Sequence, residues 1–298
     1  MKITVFTPTY NRGYIVENAY RSLLRQTVKD FEWIVVDDGS TDNTEELFNK
    51  WIEQDNGFPI VYDKKVPNGG KMRAVNYGLT LARGELFINL DSDDFLTDNA
   101  IETVIKWEKT ICEQRDRFAG VAGLRCHFDG SPIGTTFSGE YLDASVMERG
   151  KYGITGDRVE VFYTELFRLH PFPEFEGENF ISEGINWIEI CCDGDRVLRW
   201  FNEAIYLCEY IEDGYSAHAF ELAAKNPRGV LLNVHRIIDI TNPGYIEKLR
   251  LWHSYYLVGE LNNYSKAKIK RDLGVGNFNF IILCMGHYIK KAEKRIIK

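Results

Sequence analysis

The first part of the chain repeats one pattern: a short run of β-branched and apolar residues, a polar turn, then apolar residues at helical spacing. Residues 2–7 (Lys-Ile-Thr-Val-Phe-Thr) read as a strand closed by Pro8. Asn11 stands as an N-cap, and Ile15, Ala19, Leu23 and Leu24 follow with the period of a helix. Residues 31–36 make a second strand that runs into Asp37–Asp42 and a helix ending near Ile52. Ile60–Tyr62 is a short third strand. Pro67-Asn68-Gly69-Gly70 has turn chemistry, and the helix after it carries Ala74, Tyr77, Gly78 and Leu81 on one side, with Gly84 at its C′ position. Glu85–Leu90 is another strand and empties into Asp91-Ser92-Asp93-Asp94. Thr97 caps the helix of Ile101, Val104, Ile105 and Trp107, and residues 118–128 form one more strand.

Strand and helix alternating in this way predict an α/β fold with a mostly parallel central sheet flanked by helices. The apolar runs are continuous, as strands covered on both faces require. Ligands of such sheets bind beyond the carboxyl ends of the strands. The polar clusters Thr7–Arg12, Asp37–Asp42 and Asp91–Asp94 are therefore expected to converge. From about residue 130 to 180 the pattern loosens. Residues 183–191 resume helical spacing, and helical signals return after Pro227 and from Ile246 to Leu261.

Composition adds exclusions. A chain of 298 residues with 44% hydrophobic and 13% aromatic residues can bury a core without disulfide or metal. It carries 36 basic and 44 acidic residues, a net charge of −8, which argues against a general nucleic-acid binder. The six cysteines include no C-x-x-C pair and read as reduced thiols of a cytoplasmic protein. Pro8 comes too early for a secretory h-region, and no stretch reaches the roughly 18 apolar residues of a membrane span. The C-terminus changes this picture. The apolar residues 278–289 precede Lys290, Lys291, Lys294, Arg295 and Lys298, with Glu293 alone against them. Such a tail is expected to lie on an anionic membrane surface, at the inner face of the plasma membrane. Packing on the domain is the alternative.

Three clusters carry candidate chemistry. Asp91, Asp93 and Asp94 suit Mg²⁺ or Mn²⁺, which can clamp phosphate oxygens; the plainer reading is a helix start that favours acids. Asp37 and Asp38 could accept hydrogen bonds from a ribose or a base, or could simply cap a helix. Asn68–Arg73 combines two glycines with Lys71 and Arg73 at a helix start, where backbone N–H groups suit an anion. A nicotinamide site would need G-x-G-x-x-G after the first strand, which ends instead in Thr-Pro-Thr-Tyr-Asn-Arg.

Taken in order, Thr7-Pro8-Thr9-Tyr10-Asn11-Arg12, Gln26-Thr27, Val35–Asp42, Asn68-Gly69-Gly70, Ala74-x-Asn76-x-Gly78, Ala82-Arg83-Gly84-Glu85 and Leu90–Asp94 resemble the inverting family 2 glycosyltransferases of GT-A fold. The resemblance is close over about 110 residues, diffuse to about 220 and absent beyond. It implies a nucleotide-sugar-binding half at 1–110, an acceptor-binding and catalytic half at 111–225, and a helical extension at 226–298. It implies a nucleoside-diphosphate-sugar donor, usually a UDP-sugar, a divalent cation, Mn²⁺ or Mg²⁺, and a saccharide or lipid-linked saccharide acceptor. Carried over, Thr7, Thr9 and Arg12 line the uridine pocket, Asp38 meets the uracil with Asp37 beside it, and Lys71 lies near the nucleotide. Asp91 faces the ribose, Asp93 binds the metal, and Asp94 supports the loop or reaches the donor sugar. Glu183, in Ser182-Glu183-Gly184-Ile185-Asn186-Trp187, takes the place of the general base, although Ser182 stands where an acid is commoner. Glu176 and Glu178 are its rivals. His218 is the first histidine after this segment and reads as an ordinary polar residue rather than a metal ligand. The alternatives are a nucleotidyltransferase, which would want a Gly-rich basic loop after the first strand, and an inactive sugar-nucleotide-binding subunit.

Overall fold

A computed structural model of the chain describes residues 1–210 and 218–296, with side chains through His287. Its strands are β1 (Ile3–Thr9), β2 (Phe31–Asp37), β3 (Ile60–Lys64), β4 (Leu86–Asn89), β5 (Phe95–Leu96), β6 (Phe118–Cys126), β7 (Tyr141–Ala144), β8 (Arg158–Tyr163) and β9 (Val197–Leu207). They form one sheet in the order β3-β2-β1-β4-β8-β6-β9-β5, with β7 also on β9. The expected parallel arrangement holds for β3-β2-β1-β4, where Val5 pairs with both Trp33 and Ile88. Beyond β4 the sheet is mixed: β8 runs antiparallel to β4 and β6, and β6 runs parallel to β9.

The helices between the strands are α1 (Glu17–Leu24), α2 (Thr44–Ile52), α3 (Lys71–Leu81), α4 (Ala100–Lys109), α5 (Thr164–Leu169) and α6 (Gly184–Cys192). Every residue of β2 is buried, as its apolar run demands. Trp33 on β2 is packed by Tyr20 of α1 and by Phe48 and Trp51 of α2, with ring centroids at 6.1, 5.2 and 6.2 Å. Burying a side chain such as Phe48 contributes roughly 1.5–3 kcal/mol, so this aromatic cluster fixes both helices to the sheet.

Three local expectations are corrected. Asn11 does not cap α1, which begins after Val16 without a side-chain cap. Asn99, not Thr97, stands at the N-cap of α4; the Thr97 hydroxyl donates to Asn99 Oδ1 at 3.1 Å. Gly84 does not end α3, whose C-cap is Ala82 in an extended conformation. It is a glycine because β1 passes so close that a Cβ would lie 2.2 Å from the Thr4 nitrogen. Buried Glu32 ties this crossing together by accepting from Arg83 N at 2.6 Å and Thr4 Oγ1 at 2.8 Å.

The chain divides into two compact units, Met1–Phe172 with Asn186–Ile211, and Pro173–Ile185 with Glu212–Lys298. The second unit thus takes in a segment well before residue 226, the start expected for the helical extension. It holds α7 (Ala219–Lys225), α8 (Pro227–Thr241), α9 (Tyr245–Leu261), α10 (Lys266–Leu273) and α11 (Asn277–Ile296). Glu178 joins the early segment to α8: Oε1 accepts from Arg228 N at 3.0 Å and Oε2 from Gly229 N at 2.9 Å. The unit has its own core of Val234, Trp252, Tyr255, Tyr256, Ile269, Leu273 and Leu283.

The apolar run at 278–289 is split by its helical period. Phe280, Leu283 and Cys284 of α11 pack into that core, whereas Phe278, Ile281 and Met285 are 74%, 57% and 60% exposed. The basic side chains of Lys290, Lys291, Lys294, Arg295 and Lys298 lie outside the described part of the structure. Among the described residues, no helix is long and apolar enough to cross a membrane.

Candidate active site

The three strand ends do meet. The Asp38 amide donates to Thr9 O at 2.8 Å, joining the ends of β1 and β2. Asn11, at φ 52°, turns the chain after β1. Its amide donates to Ser40 Oγ and its Oδ1 accepts from the Thr41 amide, both at 2.8 Å. Asparagine tolerates this left-handed backbone, which explains why it stands there rather than as a cap. The end of β4 joins through Lys71, whose Nζ lies 2.6 Å from Asp91 Oδ1.

Thr7 departs from the expected pocket-lining place. It is fully buried, and its hydroxyl accepts from Trp33 Nε1 at 2.9 Å, so the side chain packs within the sheet. Thr9 is 3% exposed, and its hydroxyl has no hydrogen-bond partner. Arg12 donates to the Tyr14 hydroxyl at 2.5 Å. Its charge also reaches Asp91 and Asp93 and favours their ionised forms.

Asp37 and Asp38 are both held from within. Asp37 Oδ1 accepts from the Ser40 amide at 2.7 Å and Oδ2 from the Tyr62 hydroxyl at 2.5 Å. Asp38 Oδ1 accepts from the Gly69 amide at 2.8 Å and Oδ2 from the Gly70 amide at 2.6 Å. Gly70 adopts φ 91°, which glycine reaches without strain, and this turns its N–H toward Asp38. The glycine loop was expected to offer these amides to an anion. The anion they hold is the Asp38 carboxylate. Burial raises the Asp38 pKa above its ordinary value, partly countered by those two amides.

The acidic loop after β4 is organised differently. Burial alone would keep Asp91 protonated, but Lys71, then Arg125, more than offset it and hold its pKa low. Asp93 is raised by burial and then by the charge of Asp91. Asp94 is pushed to about 8 by burial, then by Asp91 and Asp93. It is 5% exposed, and its Oδ2 accepts from the Tyr206 hydroxyl at 2.7 Å. Of its two expected roles, this geometry matches support of the loop. The same Tyr206 oxygen accepts from the Asp91 amide at 3.0 Å. Arg125 of β6 lies 4.4 Å from the Tyr206 ring centroid and donates through Nε to Arg158 O. Sequence reasoning missed Tyr206 and Arg125. The Leu-Arg-Trp-Phe-Asn-Glu-Ala run of β9 interrupts its apolar residues with polar ones, and Arg125 stands alone in an apolar strand.

No group of three or more His, Cys, Asp or Glu side chains among the described residues is arranged to hold a metal ion. Asp93 nevertheless fits one of a particular kind. Its donors are hard oxygens, and its carboxylate hydrogen-bonds to no other described residue. Mg²⁺ and Mn²⁺ commonly use one or two protein carboxylates and complete their shell with water and substrate phosphates. The residues fit a cation shared with a diphosphate, not a closed protein cage.

Glu183 is half-buried and directly precedes α6, as the helix-start reading requires. Of its rivals, Glu178 has both oxygens engaged at the start of α8, while the Glu176 carbonyl accepts from Arg228. His218 stands at the N-cap of α7, with Nδ1 3.5 Å from Glu221 Oε2, in keeping with an ordinary polar residue. Glu212 and Asp213, between Tyr210 and His218, lie outside the described residues.

Residues 4–113 match the family model for glycosyl transferase family 2. A GalNAc(5)-diNAcBac-PP-undecaprenol beta-1,3-glucosyltransferase of Campylobacter jejuni is 36% identical over 196 residues, 63% of this chain and 59% of its own. The glycosyltransferase GlyG of Streptococcus pneumoniae is 38% identical over 102 residues, 34% of this chain and 33% of its own. The matches therefore span only part of each relative. Among solved structures, S. aureus TarS 1-349 in complex with UDP-GlcNAc superposes with a TM-score of 0.61 at 20% identity, over 95% of this chain and 79% of that one. The mannosyltransferase PcManGT of Pyrobaculum calidifontis, in complex with GDP-Man and Mn²⁺, gives 0.56 at 18% identity over 97% and 80%. These likenesses establish the GT-A fold.

Proposed function

We propose that this chain is an inverting glycosyltransferase. It would move a sugar from a nucleoside-diphosphate sugar, a UDP-sugar by preference, to a hydroxyl of a saccharide or lipid-linked saccharide in surface-polysaccharide synthesis. The observation that carries this reading is the Asp93 carboxylate beside the Asp91–Lys71 pair, where three strand ends converge. It is supported by the nucleotide sugars and Mn²⁺ named in the complexes of like fold, and by the lipid-linked saccharide named for the C. jejuni relative. A nucleotidyltransferase is disfavoured because the loop after β1 is a tight crosslinked turn with no Gly-rich basic run.

Asp93 is the residue that would hold Mn²⁺ or Mg²⁺, with Asp91 toward the ribose of the nucleotide. A bound cation would neutralise charge developing on the leaving diphosphate. Glu183 is the proposed general base: it takes the acceptor proton as the hydroxyl attacks the anomeric carbon, and a single displacement turns an α-linked donor into a β-linkage. The test is UDP release with acceptor and Mn²⁺ in wild type and Glu183→Gln. Transfer falls roughly 10²–10⁴-fold while UDP-sugar affinity stays within a few-fold. Near-normal turnover of the variant at saturating acceptor would overturn the assignment and leave Glu176 as the candidate.

The exposed face of α11, Phe278, Ile281 and Met285, together with the basic residues after it, is proposed to rest on the inner, anionic surface of a membrane. Removing residues 278–298 would also remove Leu283 from the core of the second unit, so point changes are the better probe. Phe278→Glu with Ile281→Glu should release the protein from anionic vesicles in a flotation assay. A wild type that ignores such vesicles sinks the idea.

A further inference from the structure

We propose that Tyr206 is a positioning residue for the metal-binding loop, holding Asp91 and Asp94 in place from β9 with Arg125 as its support. The inference rests on the functional reading above, because it concerns how the proposed cation site is kept open.

The argument starts from one oxygen atom. Tyr206 is fully buried on β9, and its hydroxyl lies 3.0 Å from the Asp91 amide and 2.7 Å from Asp94 Oδ2. The amide can only donate, so the phenol oxygen accepts there and its own proton goes to Asp94. One group thus fixes the first backbone amide of the loop and the carboxylate three residues later. The Asp94 amide closes the same turn by donating to Asp91 O at 3.1 Å.

The consequence is a sorting of three carboxylates. Asp94 is buried and held by Tyr206, whereas Asp91 and Asp93 are half-buried. Asp91 meets Lys71, and Asp93 hydrogen-bonds to no other described residue. Without the phenol, Asp94 has no described side-chain hydrogen bond to hold it away from Asp91 and Asp93. Arg125, 4.4 Å from the Tyr206 ring centroid, steadies the ring. Groups that orient metal ligands in this indirect way typically matter by roughly 10–100-fold in metal affinity.

The test uses the full chain, Tyr206→Phe, and Mn²⁺ followed by its free-ion electron paramagnetic resonance signal, with and without UDP. The variant should bind Mn²⁺ in the presence of UDP roughly 10–100-fold more weakly. Its UDP affinity without metal should stay close to wild type, and its metal-free melting temperature should fall because the Asp91 amide loses its acceptor. A purely structural role would weaken UDP equally with and without metal. If wild type binds Mn²⁺ with UDP and the variant does so equally well, the inference falls and the functional reading stands. If wild type shows no Mn²⁺ binding with UDP, both fall. Amide exchange over residues 90–96 of the wild type is a second measurement that needs no variant. The Asp91 amide should be protected, and exchange as fast as an open loop would overturn the proposal.

Discussion

At the end of β2, Asp37 and Asp38 have all four carboxylate oxygens bound by groups of the fold; at the end of β4, Asp93 is hydrogen-bonded by no other described residue. Both loops are acidic and both close a buried parallel strand. The first uses its charge to gather backbone amides and a tyrosine hydroxyl, so its aspartates shape the loops around them. The second is balanced by cations that come from elsewhere, Lys71 on α3 and Arg125 on β6. An acidic pair that is satisfied locally organises a turn, and one balanced from a distance keeps a carboxylate for a ligand.

The sharpest way to break the comparison is Asp93→Ala. If this carboxylate serves the cation, transfer should fall about 10³-fold, equivalent to about 4 kcal/mol of transition-state stabilisation. Metal-free stability should stay the same or rise, because burial and Asp91 both oppose the Asp93 charge. Calorimetry with UDP, with and without Mn²⁺, would read the loss; unchanged Mn²⁺ dependence would count against the site.

Asp37→Ala should do the reverse, removing about 2 kcal/mol of stability by leaving the Ser40 amide and the Tyr62 hydroxyl without acceptors. Urea denaturation measures this directly. A variant as stable as wild type would mean that the two loops do not differ as described.

The smallest effect concerns Asp42 in the β2 loop. Burial acts against its charge, but hydrogen bonds from Thr44 and Gly13 outweigh it and hold its pKa below the ordinary value. A depressed carboxylate stabilises the fold above its unfolded pKa of about 4, and that contribution is lost as pH falls below it. Asp42→Asn should therefore melt slightly below wild type at neutral pH, and the two should converge in acid. A gap that persists at low pH would point to shape rather than charge.

Much of the first unit was legible in the sequence, since β1 to β4 are uninterrupted apolar runs and each ends in a polar turn. The end of β4 was legible as an acidic cluster, but its cations were not, because Lys71 and Arg125 stand twenty and thirty-four residues from Asp91. β7 and β8 were lost in the stretch without clear alternation, and β9, beyond it, was not read as a strand. β8 hides Arg158 and Glu160 among its apolar residues, and both are buried, so polarity in sequence did not mean exposure. The tail was half legible: its apolar content was plain, and only the packing of α11 showed which face was already covered.

By itself, then, the sequence determined the parallel half of the sheet and the convergence of three strand-end loops, because periodicity and turn chemistry are local properties of the chain. Only the tertiary structure decided what each acid does. It placed the amides of Gly69 and Gly70 on Asp38, Trp33 on Thr7, and Tyr206 between Asp91 and Asp94. The physical reason is that a carboxylate's role follows from the donors and charges around it, and here those donors and charges come from strands and loops distant in sequence.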